Sequence, residues 1–78
     1  MLRIKLYRVC NERVRYYDML LYKTLFGDFC IERIYGSLKN KRPTGLKKEF
    51  FASISDAKAR YFSIMKAKKS KGYSQQNI

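Results

Sequence analysis

The hydrophobic period of the chain changes once, at Ser53, and that change sets the fold class. Before it, apolar and polar residues alternate, the spacing of half-buried strands. After it, apolar residues recur at three- and four-residue steps, the spacing of one helix face. In residues 2–10, Leu2, Ile4 and Leu6 point one way and Arg3, Lys5 and Tyr7 the other. Asn11, Glu12 and Arg13 are polar and read as a turn. Residues 14–23 are rich in strand formers, with Tyr17, Met19 and Leu21 in one row and Tyr16, Asp18, Leu20 and Tyr22 in the other. Gly27-Asp28 breaks this run as a hairpin turn does. In residues 29–36, Phe29, Ile31, Arg33 and Tyr35 share a face, Cys30, Glu32 and Ile34 share the other, and neither is clearly the core. Residues 37–46 form a basic loop with the only proline, and a fourth strand is expected at about 46–52.

Ser53-Ile54-Ser55-Asp56 matches a capping box, in which the Ser53 hydroxyl accepts from the amide three residues on and Asp56 answers. Ile54, Ala57, Tyr61, Ile64, Met65 and Lys68 then form one stripe, which predicts a helix over about 54–70 with Gly72 as its C-cap. Four strands with short links make an antiparallel sheet, and its apolar face needs the helix. The expected fold is therefore α+β: a twisted four-stranded antiparallel sheet (about 2–10, 14–23, 29–36 and 46–52) with one helix (about 54–70) on one face. The expected core is Leu2, Ile4, Leu6, Tyr17, Met19, Leu21, Phe29, Ile31, Phe51, Ala57, Tyr61, Ile64 and Met65. The aromatic rings of Tyr17, Phe26, Phe29, Phe51, Tyr61, Phe62 and Tyr73 are assigned to burial as well, since so short a chain needs them.

The 78 residues allow one domain. They carry 18 Lys and Arg against six Asp and Glu, a net charge of +12 without histidine. So large an excess repels itself in the compact state and points to a polyanionic partner. The excess is polarised: residues 39–71 hold eleven cations against Glu49 and Asp56, residues 1–38 seven against four carboxylates. Without histidine, the usual general base and nitrogen ligand are missing. Cys10 and Cys30 are far apart and form no CxxC, so no metal site is expected and the two read as free thiols. Paired carboxylates, nucleophile–base pairs and phosphate-cradling glycine loops are absent too, so no enzyme, cofactor or small-molecule substrate is expected. The start, Met1-Leu2-Arg3-Ile4-Lys5, is broken by charge and does not resemble a signal peptide. The longest apolar run, Met19-Leu20-Leu21-Tyr22, is far short of a membrane span. A cytoplasmic, reduced protein without membrane contact is expected.

Arg15-Tyr16-Tyr17 leading to Leu25-Phe26-Gly27, then Arg33-Ile34-Tyr35-Gly36, Phe51-x-Ser53-x-x-Asp56-Ala57 and Lys69-x-Lys71-Gly72-Tyr73 together resemble the WGR domain, in its short basic bacterial form. The likeness lies in the order and spacing of these segments over residues 3–73. It implies one domain over 1–73, with a flexible polar tail over 74–78. In the DNA-dependent poly(ADP-ribose) polymerases that share this module, the Trp of the Trp-Gly-Arg motif packs against a sugar at a DNA end or nick. Here Tyr35 takes the Trp position, Gly36 the Gly position and Ser37 the Arg position. The resemblance thus implies that Tyr35 stacks, and Ser37 puts in doubt whatever depends on the Arg.

The candidate interface is Tyr35 with Lys39, Lys41, Arg42, Lys47 and Lys48, plus Arg33. Lys and Arg bind phosphates and release counterions, and an exposed ring stacks on a base or sugar. The bland alternatives are a solvated hairpin loop and a tyrosine packed at a strand end. Arg3, Lys5, Arg8, Arg13 and Arg15 either extend the patch or guard an edge strand from pairing. Lys66 to Lys71 suit the negative end of the helix dipole, with phosphate contact as a second role. The reading is a non-enzymatic nucleic-acid-binding module, for DNA backbone, ends or nicks. Its alternatives are an adaptor docking an acidic protein and RNA binding by the same patch. Base-sequence specificity is not expected, because the one helix is needed on the sheet.

Overall fold

The computed structural model describes residues 1–75. β1 (Leu2–Cys10), β2 (Arg13–Lys23), β3 (Phe29–Ser37) and β4 (Gly45–Phe51) form one antiparallel sheet in the order β1-β2-β3-β4, followed by α1 (Ile54–Ser70). This is the α+β fold expected from the period change, with strand ends within a residue of those read from the sequence.

The first hairpin closes in two residues. Cys10 pairs with Arg13, and between them Asn11 and Glu12 have φ of 50° and 66°. Two left-handed residues make a type I′ turn, whose twist matches that of the strands. Asn tolerates that conformation, whereas Glu carries a Cβ against the following carbonyl. Glu12→Gly is therefore expected to stabilise the fold by about 0.5–1 kcal/mol. A urea midpoint that stays put or falls, at unchanged slope, would show that Glu12 bears no strain.

Helix α1 is capped at both ends. The Ser53 hydroxyl accepts from the Ser55 amide at 3.1 Å, one residue earlier than a capping box requires. At the other end Lys71 is the C-cap and Gly72 follows with φ of +100°, a conformation suited to glycine. The Gly72 amide donates to the Lys69 carbonyl and the Tyr73 amide to the Lys68 carbonyl, each at 3.1 Å. This Schellman arrangement satisfies the last carbonyls and folds the chain back under the helix. Ser74 then pairs with Tyr7 on the outer edge of β1, through backbone bonds of 2.7 and 2.8 Å. The expected flexible tail over 74–78 thus does not hold at Ser74, and residues 76–78 lie outside the described residues.

The strand register sorts the helix-facing side of the sheet into rows. Phe29 lies opposite Phe51, and the next row is Leu2, Leu21, Ile31 and Glu49. Then come Ile4, Met19, Arg33 and Lys47, followed by Leu6, Tyr17, Tyr35 and Gly45, then Arg8, Arg15 and Ser37. The face therefore grades from apolar to cationic along the strands. α1 buries Ala57, Tyr61 and Ile64 against it, and the core comprises these with Leu6, Tyr17, Met19, Leu21 and Ile31. Ile4, Phe29, Phe51, Met65 and Tyr73 pack around them as expected, joined by Tyr35. Leu2, expected in the core, is 36% exposed, because it stands at the end of an edge strand. Phe26 and Phe62 also depart from the expected burial, Phe26 on the β2–β3 turn and Phe62 on the outer side of α1. Cys30 is fully buried and Cys10 half-buried, both as free thiols.

The other side of the sheet has no covering layer among the described residues. There the buried Asp18 carboxylate takes two bonds from Arg3, at 2.8 and 3.3 Å, so Arg3 satisfies a buried charge.

Candidate functional site

Past the last buried residues of α1, the graded face opens into a pocket of about 310 Å³. Its lining includes the rings of Tyr17, Tyr35 and Tyr73 and four cations: Arg15 from β2, Arg33 from β3, Lys47 from β4 and Lys68 from α1. Period-two spacing brings Arg15 beside Tyr17 and Arg33 beside Tyr35 on one face. Lys47 is the cross-strand partner of Arg33. Lys68 arrives on the helix stripe, one turn beyond Ile64 and Met65.

The rings hold one another. Tyr17 and Tyr35 stack with centroids 5.8 Å apart and planes 17° from parallel, and Tyr73 meets Tyr17 edge-on at 6.1 Å. Tyr35 also leans over Gly45, where an added Cβ would lie 2.5 Å from the ring. Tyr35 is thus a half-buried wall of the pocket, which corrects the expectation of a projecting, freely stacking ring.

The cations are only partly neutralised. Arg33 donates to Glu49 at 2.8 Å and to the Tyr17 hydroxyl at 3.4 Å, and its buried Nε has no hydrogen-bond partner among the described residues. Glu49 is shared with Arg60 at 3.3 Å. Among the described residues no carboxylate forms an ion pair with Arg15, Lys47 or Lys68. The Lys68 ammonium sits 4.5 Å from the centre of the Tyr17 ring and 5.6 Å from that of Tyr73, a cation–π arrangement. Burial, and then the charges of Lys71, Arg33, Lys47 and Arg15, hold Lys68 below the ordinary lysine range. The pocket is a positive field over aromatic walls, compensated only in part by Glu49.

A second hollow of about 530 Å³ adjoins it through Arg15. It is lined by Cys10, Asn11, Arg13 and Ser37, with Asn40 and Thr44 of the β3–β4 loop. That loop is tied at its base, where Leu38 donates to the Val14 carbonyl at 3.0 Å and Thr44 to the Tyr35 carbonyl at 2.8 Å. Lys39, Lys41 and Arg42 are exposed along it. Ser37 lies directly opposite Arg15.

The seven residues read from the sequence thus separate. Arg33, Tyr35 and Lys47 meet in the pocket, and Lys39, Lys41 and Arg42 stand on the neighbouring loop. Lys48 does not join them: strand alternation turns it to the opposite face, where it pairs with Glu32 at 3.4 Å. Arg15, Tyr17, Lys68 and Tyr73 complete the pocket. Read from the sequence, Arg15 is an extension of the patch or an edge guard, Lys68 a secondary phosphate contact, and Tyr17 and Tyr73 are assigned to burial; none of them falls in the candidate interface. One signal for Lys68 was legible, a lysine on an otherwise apolar helix stripe. Arg15 needed the strand register, and Tyr73 needed the turn at Gly72.

No family model matches the chain, and searches among curated proteins and solved structures return no match.

Proposed function

We propose that the protein is a non-enzymatic nucleic-acid-binding module that holds a phosphate backbone, DNA before RNA, across the Tyr-walled pocket and the loop beside it. The observation that carries this reading is the convergence of Arg15, Arg33, Lys47 and Lys68 on one pocket with only Glu49 facing them. Arg33 and Lys68 are half-buried, with the exposed Arg15 and Lys47 beside them; the four repel one another, and a phosphate removes that repulsion. Lys39, Lys41 and Arg42 extend the positive surface along a backbone without reading bases.

The WGR resemblance belongs to this reading, with one change of emphasis. Ser37 supplies no charge at the family's Arg position, but Arg15 stands next to it across β2 and β3. A guanidinium from the neighbouring strand covers the same ground. Tyr35, Tyr17 and Tyr73 then act as one aromatic wall against the sugar at a discontinuity, in place of a single projecting ring.

Binding to nicked and intact duplexes across a salt series tests the reading. The observed association constant is expected to fall steeply with salt, and the nicked duplex to bind more tightly. A flat salt response would sink the electrostatic mechanism, and equal affinity for both duplexes would remove the preference for ends. Competition with RNA of equal length, and with an acidic protein, distinguishes the other polyanions that the same cations could attract.

A further inference from the structure

We propose that the chain self-associates end to end through the β2–β3 turn, with Leu25 and Phe26 of each copy seated in an apolar pocket of the other. This turn lies at the opposite end of the strands from the β3–β4 loop, and the inference does not depend on nucleic-acid binding. Leu25 is 103% exposed and Phe26 95% exposed, on a turn where polar residues are the rule. They cannot fold back onto their own core, because the turn is fixed from within. Thr24 donates its amide to the Asp28 carbonyl at 2.8 Å and its hydroxyl to the Asp28 carboxylate. The Gly27 amide bonds the Thr24 carbonyl at 3.2 Å, the Phe26 amide bonds the Thr24 hydroxyl oxygen at 3.2 Å, and Gly27 has φ of +92°. A preformed display of two apolar side chains loses little entropy on association.

The receptor for them is beside the turn. A pocket of about 300 Å³ has an apolar lining of Met1, Leu2, Leu21, Tyr22, Phe29 and Ile54 with Lys23 and Lys58 at its wall, and Lys23 and Phe29 close the turn as a strand pair. A cavity of roughly 150 Å³ accepts a benzene ring, so there is room for the Phe26 ring. Knob and pocket share one end of the molecule, so two copies can exchange knobs about a two-fold axis and close the assembly.

A second copy is the occupant because the chain itself carries both halves of the contact, and charge opposes self-association least at this end. This end carries Lys23, Lys58 and the terminal amine against Asp28 and Asp56, while Arg15, Arg33, Lys47 and Lys68 lie along the other. Two chains of +12 repel each other least when they meet here, and a polyanion is drawn elsewhere. The contact is small, two side chains and one pocket on each copy, and falls short of the roughly 800 Å² per partner of a standard interface. The dimer is accordingly weak, and each copy keeps its basic pocket facing outward.

Sedimentation of the full chain over a concentration series tests this. The weight-average mass of the native chain is expected to rise from that of the monomer toward twice that value. The rise is expected to begin at lower concentration in high salt, since screening removes the mutual repulsion. The double variant Leu25→Ser and Phe26→Ser is expected to remain monomeric with an unchanged melting temperature. Ile54→Glu, which charges the pocket rim, is expected to weaken association as well. A native chain that stays monomeric throughout overturns the proposal, as does a double variant that associates as strongly as the native chain. It is also overturned if the native chain stays monomeric but binds anionic vesicles and the double variant does not, since the two side chains would then serve a lipid surface.

Discussion

Lys47→Ala combined with Lys68→Met is expected to weaken binding to a short nicked duplex by about ten- to a hundredfold at moderate salt. Both cations face the same pocket and neither has a carboxylate partner among the described residues, so a bound phosphate gains contacts with both. Each phosphate contact contributes about 0.9 to the slope of log K against log salt, so the slope should shrink by about 1.8. Lys48→Ala removes a charge next door in sequence, but one paired with Glu32 on the far face, and should leave affinity within about twofold. If the two lysines on adjacent positions behave alike, diffuse charge governs binding and the pocket does not. A pH arm sharpens the comparison. Lys68 is held below the ordinary lysine range in the free protein, and a bound phosphate raises it again. Binding therefore takes up a proton at alkaline pH. Affinity is full below the lowered value and declines as pH rises through it, earlier than an ordinary lysine would allow. Lys68→Met should abolish that early decline. The same sign applies to stability: the charged Lys68 opposes folding at neutral pH, and the penalty fades as pH rises toward the ordinary value. The methionine variant should thus fold at least as well through this term, which separates a binding defect from a folding one.

Ile31→Ala is expected to destabilise the fold by about 2–5 kcal/mol, read as a lower urea midpoint. Ile31 is fully buried on β3, between Leu21 and Glu49 in its row and beneath α1. A domain of this size has a stability of only about 4–12 kcal/mol, so the substitution alone brings it near the threshold of folding. Leu2→Ala is the contrast. Leu2 begins an edge strand and is 36% exposed, so its truncation should cost less than about 1 kcal/mol. Equal losses at the two positions would mean that β1 packs more tightly at its end than the geometry indicates.

Much of the architecture was legible because it depends on spacing along a few residues. Alternation in residues 2–10 and the stripe from Ile54 to Lys68 each report which side of one element faces the core, and neither needs a partner to be known. The turn at Gly27 and the helix end at Gly72 were legible for the same reason. Phe26 was misplaced because its apolarity argued for burial, whereas the closed turn between Thr24 and Asp28 holds it outward. Lys48 was misplaced because the cations were grouped by closeness in sequence, although alternation in the strand expected over 46–52 already turns it away from Lys47.

The sequence by itself determined the order and kind of the elements, the single change of period, and the concentration of charge in residues 39–71, because these are set by local stereochemistry and composition. Only the tertiary structure decided which charges meet. Arg15, Arg33, Lys47 and Lys68 come from four different elements, and Tyr73 reaches them through the turn at Gly72. Their convergence rests on strand register and on where the helix lies across the sheet, and both are fixed by burial of the apolar end of the same face, far along the chain from the cations themselves.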